Sequence, residues 1–213
     1  MTNSEPHIWN SNTFNIIMKI HIREARIEDS GAIARLFLMA WPVEEFLAMD
    51  KSLTEDILAE IVKGYVEAAD TVYSYTNTIV AVATDESGEE CIAGAINGYD
   101  GALYQKLKKP VVDDLRKRFP SSPNDYGDVV ETEAGEYYLD SIGVLPSMRS
   151  HGIGSMLFDA ILAKVRSLGY SKVGLIVDID KPKAEALYRR LGFECVGYRD
   201  FMGHSMKHMQ LNY

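Results

Sequence analysis

The stretch from Tyr138 to Val144 (YLDSIGV), continued by Leu145 to Met148 (LPSM) and Arg149 to Leu157 (RSHGIGSML), constrains the chain more than any other. It reads as a short apolar strand, a proline turn, and a glycine-bearing turn that opens a helix. Arg149-x-x-Gly152-x-Gly154 at that junction does a defined physical job. Two glycines let the backbone come close to a bulky anion, and the first N–H groups of the helix have no intrahelical partner. Several donors and the positive end of the helix dipole therefore face one spot, with Arg149 and His151 beside it. That spot suits a pyrophosphate. The candidate phosphate-binding residues are Arg149, Ser150, His151, Gly152, Ile153, Gly154 and Ser155. The turn lacks the Gly-Lys-Ser/Thr ending of a P-loop, which weakens a nucleotide-triphosphate reading.

The rest of the chain supplies strands and helices on either side. After a polar start, residues 1–17, which reads as a flexible arm or extension, Met18 to Ala25 begins an alternating strand. Ile33, Leu36, Phe37 and Ala40 recur at helical spacing over residues 29–40, and Trp41-Pro42 ends that helix. Ser52 to Glu55 is a capping-box candidate for a second helix reaching about Ala69, with Ile57, Leu58, Ile61, Val62 and Tyr65 on its inner face. Residues 78–84 and 90–97 flank a Gly-containing turn and read as an antiparallel hairpin. Residues 99–136 are less regular: a helix around 102–108, a second piece around 111–119, then a polar loop from Pro120 to Gly135. Beyond the central strand come a helix over 154–168 with Met156, Leu157, Ile161 and Val165 inside, and a strand over 172–177. A short helix over 184–191, with Pro182 ahead of it, and strands over 195–198 and 204–211 close the chain.

A chain of 213 residues with net charge −9 can bury one substantial core, and its acidity argues against non-specific nucleic-acid binding. The imbalance is local. Residues 149–213 carry ten Lys/Arg and six Asp/Glu, against twelve and twenty-five in residues 1–148, so the basic third begins at the glycine turn. Apolar runs fall short of a membrane span, and the start lacks a secretory pattern, so the expected setting is the cytoplasm with no membrane partner. Cys91 and Cys195 have no metal or redox spacing and read as buried free thiols. His204 and His208 lie four apart, but no third ligand is evident, and no metal is expected.

A second motif decides the family. Lys181 to Phe193 contains Ala184, Leu187, Tyr188, Gly192 and Phe193 at the spacing of Asn-x-x-Ala-x-x-Leu-Tyr-x-x-x-Gly-Phe. Together with the glycine turn, in the right order and at about the right distance, this resembles the GNAT (GCN5-related) N-acetyltransferases from residue 18 to the C-terminus. Lys181 stands where the family has its Asn, whose contact to the pantetheine arm is therefore lost or replaced. The resemblance implies one GNAT domain over residues 18–213 with an α/β fold. Its mixed central sheet of about six or seven strands would be splayed between the fourth and fifth, with helices on both faces.

The resemblance also implies a chemistry. The pantetheine arm of acetyl-CoA would lie between the strand carrying Ile142, Gly143 and Val144 and the strand 173–177, bonded to backbone like an added strand. Gly143 would sit at a bulge. His151, Lys181 and Lys183 could meet the adenosine phosphates. Glu136, Tyr138, Asp140 and Ile142 would share a face by alternation, and family bases come from this strand, so Asp140 is the first candidate base and Glu136 the second. Tyr188 resembles the tyrosine that protonates the departing thiolate. A backbone N–H of Ile142–Val144 would hold the thioester oxygen. The acceptor would be a primary amine on a small molecule, peptide or protein, and a homodimer is left open. Eight acids against two lysines in residues 43–70 hint at a cationic acceptor, such as a polyamine, an aminoglycoside-like amine or a basic peptide terminus; solvated helix faces explain the same charges. From another class, Lys181 would also suit a non-catalytic acyl-CoA-binding module or sensor.

Overall fold

The structure is a computed structural model that describes residues 18–213 except 42, 121–129 and 202. The expected arm, residues 1–17, lies outside the described residues. In chain order the elements are β1 (Lys19–Glu24), α1 (Ser30–Leu38), α2 (Val43–Met49), α3 (Glu55–Glu67), β2 (Thr78–Thr84), β3 (Glu90–Asp100) and α4 (Tyr104–Arg118). Then come β4 (Tyr137–Val144), α5 (Ile153–Ser167), β5 (Lys172–Asp178), α6 (Pro182–Arg190), β6 (Glu194–Phe201) and β7 (His204–Asn212). Seven strands form one sheet in the order β1-β2-β3-β4-β5-β7-β6. Every neighbouring pair is antiparallel except β4 and β5, which are parallel and joined through α5.

Each face of the sheet carries its own core. On one, Ile33, Phe37, Val62, Val66 and Val112 of α1, α3 and α4 pack on Val80, Val82, Ala95 and Tyr138. On the other, Leu157, Phe158, Ile161 and Val165 of α5 pack on Ala81, Leu139, Val173 and Met209. Six α5 side chains are buried, and at roughly 1.5–3 kcal/mol each their burial far outweighs the ~1 kcal/mol of a good N-cap. That helix can therefore do without a side-chain cap. Gly152 holds its N-cap position at φ 79°, and the amides that follow stay open.

Several expectations are corrected here. Ser52 does not cap α3: its hydroxyl bonds Asp50, and Thr54 accepts the Ile57 N–H at 3.2 Å instead. Ile57 is exposed, while Ala59 and Val66 join Leu58, Val62 and Tyr65 inside. A short helix, α2, follows the break at residues 41–42. The two expected pieces of 102–119 are one helix, α4, with Pro110 inside it. Pro110 costs the carbonyl of Lys106 its partner, but Lys106 is exposed and water can serve it. Beside it, the Leu107 carbonyl takes the N–H of Val72 at 3.1 Å. Both cysteines are free but half-buried rather than buried.

Candidate functional site

The site starts from an unfinished ladder. β4 and β5 pair only at Tyr137 with Val173 and at Tyr138 with Gly174. Beyond those pairs β4 keeps its β3 partners as far as Val144, and β5 keeps β7 as far as Asp178. Two strands, each anchored on its outer side, thus diverge and leave a fork with unladdered backbone on its inner edges. The Leu145 N–H donates to Ala93 on β3. Because backbone direction alternates along a strand, Val144 and Ile142 turn their N–H and C=O groups the other way, into the fork.

A bulge in β4 helps to open it. Ile96 pairs with Ile142 and Gly98 with Leu139, so Asp140 and Ser141 together oppose Asn97. The buried Asn97 side chain fills the irregularity, accepting the Ser141 N–H at 2.8 Å and donating to the Val72 carbonyl at 2.6 Å. The bulge shifts the phase of the strand. Tyr138 packs with α1 and α3, whereas Ile142 and Val144 pack with the α5 face, so the expected shared face of Glu136, Tyr138, Asp140 and Ile142 ends at Asp140. Gly143 is not the bulge residue. It is a close-approach glycine: a Cβ there would stand 2.5 Å from the carbonyl oxygen of Leu36 on α1.

At the open end of the fork the chain turns into α5. Ser150 and Gly152 both take left-handed backbone, at φ 65° and 79°, and so turn the chain sharply into the helix. The first helical bond runs from Met156 to Gly152, at 3.0 Å, so the N–H groups of Ile153, Gly154 and Ser155 precede it and remain available. Nothing would touch a Cβ at Gly152 or Gly154, and that space is what an anion needs to reach the amides. Ile153 contributes backbone only, its side chain being 2% exposed in the α5 core. Arg149 reaches back to the Val144 carbonyl at 3.3 Å, and the His151 ring sits 2.8 Å from the Arg149 carbonyl. Lys181 and Lys183 are exposed around the start of α6.

A cavity of about 810 Å³ runs through the fork from this turn. Asp140, Ile142, Gly143, Val144, Arg149, Gly154, Lys181 and Tyr188 line it. Ser150, His151, Gly152, Ile153, Ser155 and Lys183 are not among its walls. Tyr188 is held by α6 between Phe158 and Phe193, edge-on to both, at ring distances of 5.9 and 6.1 Å. Burial raises its phenol pKa, so it stays protonated at neutral pH. Half-buried Asp140 accepts from Tyr99 at 2.6 Å and from Ser141 at 2.9 Å, and burial raises its pKa too.

Glu136 is not brought into the cavity. Fully enclosed just before β4, it accepts the Glu133 N–H at 2.8 Å and the Gln210 amide at 2.7 Å, and His208 lies 3.1 Å from it. Its carboxylate lies over Gly174, where any Cβ would overlap it. The residue ties β4 to β7 across β5 at the closed end of the fork. His208 is thereby accounted for, and His204 pairs with Asp178 at 3.1 Å. Among the described residues no group of three or more His, Cys, Asp or Glu could hold a metal ion.

Glu131 went unseen in the sequence because it belongs to no regular element. It lines the cavity, accepts from Tyr104 at 2.5 Å and Tyr138 at 2.9 Å, and its pKa is pushed up to about 7, first by burial and then by the charge of Asp140. Trp41, Phe46 and Tyr73 also face the cavity. In the sequence Trp41 marks only the end of the first helix, and Phe46 and Tyr73 belong to no motif.

Comparisons with known proteins bear on the family and the fold. The family model of the GNAT acetyltransferases matches residues 76–193, more than half of the chain. An N-acetyltransferase from Staphylococcus aureus Mu50 superposes with a TM-score of 0.72 at 26% identity, covering 90% of this chain and 100% of that one. Another acetyltransferase structure does so at 0.67 and 29% identity, covering 90% and 98%. Mycothiol acetyltransferase of Saccharomonospora viridis is 39% identical over 80 residues, which are 38% of this chain and 24% of that relative, so the match spans about a quarter of its length. With the forked sheet, the glycine turn and the α6 tyrosine in place, the chain belongs to the GNAT family of acetyltransferases.

Proposed function

We propose that residues 18–213 form an acetyl-CoA-dependent N-acetyltransferase that passes the acetyl group directly to a primary amine. The observation that carries this reading is the β4–β5 fork, whose inner backbone edges lead from the open amides of α5 to Tyr188 and Asp140. Acetyl-CoA supplies an activated acyl carbon and a thiolate leaving group. Everything else comes from the chain. The N–H groups of residues 153–155, with Arg149, take the pyrophosphate. The backbone of Ile142 and Val144 bonds the pantetheine arm as an added strand would, and one of their N–H groups faces the carbonyl oxygen. Lys181, in place of the family Asn, offers a cation at the mouth rather than an amide.

An alkylammonium of pKa near ~10.4 gives up its proton at pH 7 at a cost of about 4–5 kcal/mol. The carboxylates at the widening of the fork, Asp140 with Glu131 beside it, accept that proton, directly or through water. As the amine nitrogen bonds to the acyl carbon and the carbon–sulfur bond breaks, Tyr188 gives its phenolic proton to the sulfur, and the proton that the nitrogen sheds on becoming an amide restores the phenol through water. No cysteine takes part. No helix among the described residues is long and apolar enough to cross a membrane, and a cytoplasmic setting belongs to this reading.

The test is release of free thiol from acetyl-CoA in the presence of an amine panel. Amine-dependent release that falls with Tyr188→Phe supports the reading. Binding of CoA with no thiol release for any amine, and no change on Tyr188→Phe, would make the protein a sensor instead.

A further inference from the structure

The acids of residues 43–70 that hint at a cationic acceptor are not in the cavity. Glu44, Glu45, Glu55, Asp56, Glu60 and Glu67 are not among its lining residues. Asp56 pairs with Arg35, and Glu60 and Glu67 flank Lys63 on the surface of α3. Apart from Lys108, whose ammonium lies 4.9 Å over the Tyr104 ring, what the acceptor side offers is mainly apolar. Trp41, Phe46, Tyr73, Val112 and Leu115 line it, with Trp41 5.4 Å from Phe46 and 5.7 Å from Tyr73 between ring centres.

Among the described residues, negative charge meets this wall at one place, Glu131 with Asp140. Both are held from behind by phenols: Tyr104 and Tyr138 on the first, Tyr99 on the second. The third lining acid, Asp178, is already engaged by His204 and by the Asp180 N–H. Resting on the proposed N-acetyl transfer, we infer that the acceptor is a compact amine, one ammonium on a ring-sized apolar body, and that Trp41 sets this preference. The ammonium goes to the carboxylate pair and the body lies along the aromatic wall, where its burial and ring contacts favour binding. A second ammonium further along the same molecule would lie against Val112, Leu115 and Phe46, with no carboxylate among the described lining residues there, and a charge buried without a partner is strongly disfavoured.

The experiment compares 2-phenylethylamine with spermidine as acceptors, using the full chain, acetyl-CoA and thiol release, with CoA affinity measured separately by calorimetry. Expected is a kcat/KM at least about tenfold higher for phenylethylamine. Trp41→Leu should raise KM for phenylethylamine about tenfold while leaving kcat within about twofold and CoA affinity unchanged, so a loss of fold would be recognised. Equal or better use of spermidine overturns the inference and leaves the proposed activity standing. Thiol release from neither amine, nor from a wider panel, with CoA still bound, overturns the proposed activity and this inference with it. An unaltered KM in a CoA-binding Trp41→Leu variant removes the role given to Trp41.

Discussion

Asp140 and Glu131 stand close enough to feel each other's charge, and burial raises both pKa values, Glu131 to about 7. Their protons therefore leave in steps that belong to the pair, within a nest of Tyr73, Tyr99, Tyr104 and Tyr138 and near Lys108. A base works deprotonated, so kcat/KM should rise with pH through an inflection near 7, and Glu131→Gln should remove or lower that inflection; an unchanged profile would take Glu131 out of the chemistry. The stability consequence has the opposite slope. Carboxylates whose folded pKa exceeds the unfolded value hold protons better when folded, so the fold loses stability as pH rises from about 4.5 toward 7. Urea melts of the wild type and Glu131→Gln across that window should show the wild type falling and the variant flatter. Tyr188→Phe should lower kcat by about a hundredfold, the scale of a lost general acid, with CoA affinity intact. At this scale the places of Tyr188 and Asp140 on the cavity wall were legible, the first through a spaced motif and the second through strand alternation and family resemblance. Glu131 was not, since a loop residue placed by tertiary packing carries no periodicity.

At the scale of elements, the strands, the α5 turn and α6 were legible because alternation, glycine and proline mark them locally. The bulge in β4 was misplaced. Gly143 looked like the irregular residue, but it is small because α1 passes over it, and the bulge lies at Asp140–Ser141, where Asn97 of a different strand stabilises it. A cross-strand partner of that kind leaves no trace in the local pattern. Gly143→Ala should cost about 1–3 kcal/mol, because Leu36 backbone, and not a yielding side chain, meets the new methyl. Chemical denaturation with an unchanged m-value would register it; a loss below about 0.5 kcal/mol would mean that α1 moves freely away. The two pieces expected over 102–108 and 111–119 are one helix for a related reason. A proline argues for a break, yet packing of Leu107, Val111 and Leu115 carries α4 through it.

Over the whole molecule, charge and fork work in the same direction. The basic third of the chain begins at the α5 turn, while the rest is acidic in sum, a charge distribution that favours the proposed polyanionic carrier at that turn. Arg149→Ala should weaken CoA binding about tenfold and reduce its dependence on salt, as titration calorimetry at two ionic strengths would register; an unchanged salt dependence would place the phosphates elsewhere. The fork itself could be read from the sequence only through family resemblance, since where a ladder stops is decided by what pulls each strand outward: β3 and the bulge on one side, β7 on the other. The most direct test is a crystal structure of the protein with CoA. The expected result is a pantetheine arm between β4 and β5, bonded to the backbone of Ile142 and Val144, with its thiol at Tyr188 and its pyrophosphate over residues 149–155. A β4–β5 ladder that continues past Tyr138 and Gly174, with CoA lying outside it, would contradict the account.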